Sequence, residues 1–510
     1  MSDSQLSTSK RPPPSSLASP PSKRTATDSV NTAHPVSLPR QSHRATINDL
    51  PDELLDEILG YFHIHSGTRT FVRFEILDQW RHCKLKALKS LVLVSKRLQR
   101  IAEPHLHHAY VDHGIARHQR RFVNRLIDRP DLAKQLTIVY LDGWASERPD
   151  PRDFEDERLR AAAASFEPDA EAGQRFADDV ASGRLYAPAT LLFLLARNVA
   201  FLDIECSLDE EDALPTLLRE RPGGRVLPLL DNLRHLALRH ADDEGGIDSN
   251  ALAPFLRLPR LRAATLWMAE GIDAAPPGAW PPASSSALTS LTLDYCVVTA
   301  EALGPLLAST QRLRAFTYRL GSALVSDEQV SLPDVYAALA RHAAPTLEAL
   351  CLDVRDYDGV DEAGLIPLLS FTKLRSLRAS RCLLVPRAQL DEDPASLVLA
   401  DGPAACYGRR VGELPASLEE VAVFGSSSHD HADGRDVLRF VRAMCGRAVL
   451  PPALREVDLR QISAADVPGE VYVELAGETR AMCEEVGVRL LVNEQFSLGV
   501  VGMGGDSISS

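Results

Sequence analysis

Cysteine is scattered through this 510-residue chain: the eight, at 83, 206, 296, 351, 382, 406, 445 and 483, come no closer together than 24 residues. That excludes a C-x-x-C zinc spacing and a dense disulfide framework, so free thiols in a reducing compartment are expected. No apolar run of about 18 residues is present, and the N-terminus lacks the charged-then-apolar order of a signal peptide. A cytoplasmic or nuclear protein, neither secreted nor membrane-spanning, is therefore expected. Catalytic motifs are missing too. There is no P-loop, no G-x-S-x-G elbow and no H-E-x-x-H, and the glycines of 499–505 precede no helix that could hold a phosphate. Neither an enzymatic role nor a cofactor is expected.

Basic charge is short in the body of the chain. Residues 1–46 carry +4, with Lys10, Arg11, Lys23, Arg24, Arg40 and Arg44 against Asp3 and Asp28. The net charge is −14, so the remainder carries −18. Such a surface disfavours nucleic acid, whose phosphates need clustered Lys and Arg. The same 46 residues are rich in Ser, Thr and Pro and read as a disordered tail. Lys10-Arg11 and Lys23-Arg24 could belong to a nuclear import signal, but basic clusters this short read first as part of a solvated tail.

Hydrophobic residues make up 45% of the chain, which is ample core for several domains or a repeat array. Leu50-Pro51-Asp52-Glu53-Leu54-Leu55-Asp56-Glu57-Ile58-Leu59 opens like a helix, with proline in the first turn and acids at the positive end of the dipole. Leu54, Ile58 and Phe62 form one apolar stripe, with Leu55 and Leu59 beside it. A stripe so wide on a short helix calls for a partner helix to complete its burial. Leu88, Leu91, Val94, Ser95 and Arg97 follow in a second apolar segment.

Together, Leu50, Pro51, Glu53, Leu54, Ile58 and Leu59 with Leu88, Leu91, Val94 and Ser95 resemble an F-box over residues 47–110. The resemblance implies docking of a Skp-family adaptor by those ten residues and, through it, of a cullin. Two departures stand out. An insert over 63–87 replaces the family's short connection, and Leu98 stands where the family often has Trp. Phe71, Phe74, Leu77 and Trp80 give the insert a helical spacing. Its His63, His65, His82 and Cys83 invite a metal reading, yet adjacent His82 and Cys83 cannot easily both ligate. His105, His107 and His108 share that weakness, and no metal site is expected. His429, Asp430, His431 and Asp433 are accounted for by loop composition.

From residue 136 a Leu-x-x-Leu-x-Leu pattern recurs ten times, beginning at Leu136, Val199, Leu233, Leu261, Leu288, Leu313, Leu347, Leu374, Leu418 and Leu454. From 233 the starts advance by 28, 27, 25, 34, 27, 44 and 36 residues, several within the period of leucine-rich repeats. The fourth and sixth positions alternate to one face, so Leu236, Leu238, Leu291, Leu293, Leu350 and Leu352 are expected in a continuous core. Cys296 and Cys382 fall at the Asn/Cys position of such repeats and are expected buried. Helical patterns precede several strands, as at 332–342 and 470–486. The expected fold is a short all-helical F-box followed, over 111–492, by an irregular leucine-rich-repeat solenoid: an α/β repeat with a curved parallel sheet and outer helices. A compact α/β domain with unrelated strands is the alternative. An acidic insert at 145–180 reads as a partly helical, solvated charge run, and 493–510 as a flexible tail.

F-box and repeats together resemble fungal F-box proteins with leucine-rich-type repeats. That implies a substrate-recognition subunit of a Skp-cullin-F-box ubiquitin ligase, with a protein substrate held on the repeats. The alternatives are a leucine-rich scaffold without ligase role and a hydrolase whose site is assembled from distant residues. The third, fifth and seventh repeat positions alternate to the concave surface. They supply a candidate substrate surface of Tyr140, Asp142, Phe201, Asp203, His235, Arg239, Trp267, Asp294, Arg319, Asp353, Arg378, Phe424, Glu456 and Arg460.

Overall fold

Each of the ten Leu-x-x-Leu-x-Leu segments becomes a strand, and each strand lies parallel to its sequence neighbours. The structure is a computed structural model that describes residues 47–63, 80–112, 116–141, 156–167, 169–183, 187–206, 230–240, 246–271, 280–310, 312–321, 330–356, 368–385, 410–425, 433–446, 450–462 and 469–492. The tails, most of the 63–87 insert and the loop with His429, Asp430 and His431 lie outside the described residues. Two compact units divide the chain, Met1–Pro51 and Asp52–Ser510.

The second unit begins with helices α1 (Asp52–Gly60), α2 (Lys86–Val94) and α3 (Lys96–Leu106), a π-helical turn over Trp80–Leu85 leading into α2. Strands β1 (Ala109–Val111), β2 (Ile138–Leu141), β3 (Phe201–Cys206), β4 (His235–His240), β6 (Ala263–Trp267) and β8 (Ser290–Val298) then align side by side. The row continues through β9 (Ala315–Gly321), β10 (Ala349–Asp356), β11 (Ser376–Ser380), β12 (Glu420–Phe424), β13 (Glu456–Asp458) and β14 (Arg489–Leu491). Short β5 (Ile247–Asp248) pairs with β7 (Ala269–Gly271), which pairs in turn with β8, completing, among the described residues, an open, all-parallel sheet of 14 strands.

Parallel neighbours need a crossover, and helices supply several of them. They are α4 (Ala116–Asp128), α5 (Pro130–Ala133), α6 (Glu157–Ser165), α7 (Ala170–Ala181), α8 (Ala187–Leu195), α9 (Ala300–Ser309), α10 (Leu332–His342), α11 (Arg381–Leu384), α12 (Asp433–Cys445) and α13 (Gly469–Glu485). None of the described helices is long and apolar enough to cross a membrane. The described part of the 145–180 segment, from residue 156 on, is more than a solvated charge run. Its α6 and α7 bury Leu159, Ala163, Ala177 and Val180 in the core, while Asp156 and Asp169 cap their N-termini.

Register explains the repeat. The fourth positions Val139, Leu202, Leu236, Ala264, Leu291, Phe316, Leu350, Leu377, Val421 and Val457 are direct partners from strand to strand. They form one buried row with the inward residues of the helices. The sixth positions make a second such row, and all six leucines singled out from the sequence are at most 2% exposed. A slip of one residue would turn both rows into water, which pins the register. On the opposite face lies a separate small cluster, Ala109, Ile138 and Tyr140, covered by Leu85, Val111 and Phe201.

The two candidate repeat cysteines part company. Cys296 is fully buried, accepts the Ala269 N–H at 3.3 Å and donates to the Leu266 carbonyl at 3.4 Å, and burial pushes its thiol up to about 12. Cys382, by contrast, is exposed, because the chain turns into α11 at Arg381 and buries Leu383 and Leu384 instead.

Candidate functional site

Helix α1 carries more apolar surface than its own domain covers. Leu55 and Leu59, one turn apart, point inward and are 2% and 4% exposed. The neighbouring stripe, Leu54 and Ile58, stays 46% and 45% exposed, and Tyr61 extends it at 67%. Phe62, expected on that stripe, is half-buried, since the helix ends at Gly60 and the chain turns. α2 behaves alike: Leu88 is buried, while Leu93 and Val94 are 86% and 68% exposed.

α3 braces α1. Asp52, in the first turn of α1, accepts from Arg97 Nε at 2.7 Å and also pairs with Arg100. Ser95 caps α3 by accepting the Leu98 N–H at 3.1 Å. Of the ten expected adaptor residues, Pro51, Glu53, Leu54, Ile58, Val94 and Ser95 are exposed and Leu50 and Leu91 half-buried. Leu59 and Leu88 differ from the other eight: both are buried in the core, where they hold the helices in place. Tyr61 and Leu93, which the stripe reading passed over, join the exposed set. Tyr61 could have been found as the residue three after Ile58.

Two of the histidine groups meet. His105 Nδ1 lies 2.8 Å from His63 Nε2 and its Nε2 lies 2.9 Å from Asp56 Oδ1, while His63 stacks on His108 with ring centroids 3.8 Å apart. His108 in turn contacts the Thr137 hydroxyl at 3.1 Å. Among the described residues no group of three or more such side chains is arranged to hold a metal.

On the outer face of the sheet the seventh positions form a row: Glu205, Arg239, Trp267, Asp294 and Arg319 are successive register partners, with Asp353 next to Arg319. Arg319 donates to Asp294 Oδ1 at 2.9 Å and stands 4.0 Å from Asp353. Asp353 also accepts from Arg355 and from the Ser380 hydroxyl at 3.2 Å. Burial raises its pKa, but the Arg355 hydrogen bond and charge outweigh that and hold the carboxyl low. His235 is pushed down by burial and by the Arg234 charge.

The candidate substrate residues are therefore not equally open. Phe201, His235, Trp267, Arg319 and Glu456 are half-buried, and Arg378 and Arg460 exposed. Tyr140, Arg239, Asp294, Asp353 and Phe424 are buried, as is Asp203. Tyr140 lies in the cluster with Ile138, packed by Leu85 and Phe201, and the Arg355 guanidinium sits 4.8 Å from the Phe424 ring centre. Tyr295 joins the surface unannounced: it bulges from β8 between Asp294 and Cys296 and is 37% exposed. Aromatic side chains beside paired charges suit recognition of a protein surface. No protein-family model matches this chain, and no curated protein matches it.

Proposed function

We propose that the protein is a substrate-recognition subunit of a Skp-cullin-F-box ubiquitin ligase, acting in the cytoplasm or nucleus, with its repeat strands forming an irregular leucine-rich-repeat solenoid. The carrying observation is the apolar stripe of Leu54 and Ile58, extended by Tyr61 just past the helix end and left in solvent on a helix whose other stripe is core. Solvent-exposed aliphatic side chains on a braced helix suit the burial a partner helix provides. Phe201, Trp267, Tyr295 and Arg319 on the outer face of the sheet are the surface best suited to hold a protein substrate. Catalysis then needs no reactive group in this chain, because tethering raises the concentration of substrate lysines near the charged enzyme to about millimolar.

A second reading has its own support. Leu85 packs on Ala109, Ile138 and Tyr140, so the helical segment also covers the outer face of the first strands, as the cap of a scaffold would. Calorimetry of the full-length protein with a Skp-type adaptor separates the two. Wild type should bind, and Leu54→Ala and Ile58→Ala should each weaken binding more than tenfold, for about 2 kcal/mol apiece. Thermal unfolding should barely move, since neither side chain is core. A folded wild type that ignores the adaptor leaves the scaffold cap.

A further inference from the structure

Helices α12 and α13 each bring one cysteine to the contact between them. Cys445 is the last residue of α12 and Cys483 lies near the end of α13, and their Sγ atoms are 3.2 Å apart. Both are enclosed, at 7% and 0% exposure, so the pair is held by packing. Around it the two helices are fastened by Arg442 and Glu478, paired at 2.8 Å. A disulfide needs its sulfurs at about 2.0 Å, a closure of about 1.2 Å from the distance observed.

We propose that Cys445 and Cys483 are a site of reversible covalent modification, at which a peroxide oxidant converts the two thiols to an intramolecular cystine. The remaining described thiols lack the partner. Cys83 and Cys382 are exposed, and Cys296 and Cys351 sit alone with burial pushing them up to about 12 and about 11. Within the pair the roles divide. The hydrogen bond shared by the two sulfurs pulls the Cys483 thiol down and pushes Cys445 up, which favours Cys483 as the first to react.

The Cys483 thiolate attacks one oxygen of hydrogen peroxide; an S–O bond forms, the O–O bond breaks and hydroxide leaves, to be protonated by solvent. The Cys445 sulfur then attacks the Cys483 sulfenic sulfur. The S–S bond forms as the S–O bond breaks, and the departing hydroxide takes the Cys445 proton as water. Two thiols and one peroxide yield one cystine and two waters. The bond ties α13, and β14 directly after it, to α12 across a 38-residue separation that contains β13. A free dithiol lets these last described elements part from the sheet more easily, and the cystine holds them.

Reduced full-length protein, treated with hydrogen peroxide under native conditions, alkylated and mapped without reduction, tests this directly. The expected product is a peptide joining Cys445 to Cys483, about 2 Da lighter than the reduced pair, while Cys83 and Cys382 stay alkylatable or carry oxygen singly. Dithiothreitol should restore both thiols. The oxidised protein should melt at a higher temperature than the reduced one, and in Cys445→Ser that difference should vanish. If Cys445 and Cys483 both remain alkylatable at peroxide concentrations that oxidise Cys83 and Cys382, or if they link to other cysteines instead, the assignment is overturned. The wild-type map decides the matter even if the variant folds poorly.

Discussion

Arg239 reaches diagonally across β3 and β4 to Asp203: its Nε donates to Oδ1 at 2.6 Å, with both side chains less than 10% exposed. The direct register partner of Asp203 is Ala237, whose short side chain leaves that diagonal open. Glu205 gives the guanidinium a second acceptor at 3.4 Å. Charge in this row therefore holds strands together, in addition to whatever it offers a ligand.

Breaking that pair from one side takes the Arg239 cation away from a buried carboxylate. Arg239→Ala is expected to cost about 3–5 kcal/mol in urea unfolding, and Arg239→Ala combined with Asp203→Ala to cost less than the single arginine change. An unchanged midpoint in the single variant would show that the pair contributes nothing to the sheet.

The strands were legible because period-two alternation leaves little choice: at Leu236 and Leu238, or Leu350 and Leu352, inward burial and sequence pattern are one signal. β1 was not. His107, Tyr110 and Asp112 stand where other strands place leucines, and the register Tyr110 to Val139 shows the equivalence only after folding. For α1 the periodicity identified two stripes but not which one faces inward, a choice made by the helices packed on it. Outer-face burial was illegible for a different reason. Whether Arg239 or Phe424 sees water depends on Asp203 and Arg355, residues set beside them by strand pairing or by a bulge, and no single-strand rule contains them. Cys382 was misplaced by one local event, the start of α11 at Arg381.

Acid should destabilise the protein through histidines whose pKa is lowered by the fold, the buried His107 first among them, before its carboxylates respond. His107, at the end of α3, donates its Nδ1–H to the Glu103 carbonyl at 2.8 Å and stacks near Phe122. Burial lowers its pKa; Glu103 opposes and the Arg125 and Arg129 charges assist. Since the folded form resists the proton more than the unfolded chain does, stability is fully present above about pH 6.5 and falls as pH drops through the folded pKa. His235 and His342 shift the same way. Urea midpoints measured from pH 7 to pH 5 should therefore decline. In His107→Gln, whose amide can still donate to Glu103 but does not titrate, the decline should be shallower. Parallel curves for the two proteins would remove His107 from the cause.

Tyr295 and Gly321 depend on one another across β8 and β9. Tyr295 is an aromatic residue at φ 54°, a left-handed conformation that side chains rarely adopt, and it occupies the bulge beside Asp294. A Cβ on Gly321 would lie 2.7 Å from the Tyr295 Cα and 2.8 Å from its Cβ and Cδ1. Glycine is required at 321 by this approach, not by its own backbone angles. Gly321→Ala is expected to cost about 1–3 kcal/mol, because the obstacle includes main chain in a packed sheet and not only a flexible side chain. Tyr295→Gly should be neutral or stabilise by up to about 1 kcal/mol, since glycine takes positive φ without penalty. Together the two changes should cost less than their sum, the glycine backbone being free to yield to the new methyl. Strict additivity in a thermal or urea double-mutant cycle would mean that Tyr295 is held by something other than its contact with β9. If Tyr295→Gly leaves stability intact yet weakens capture of protein partners by the full-length chain, the strained tyrosine is retained for binding and not for the sheet.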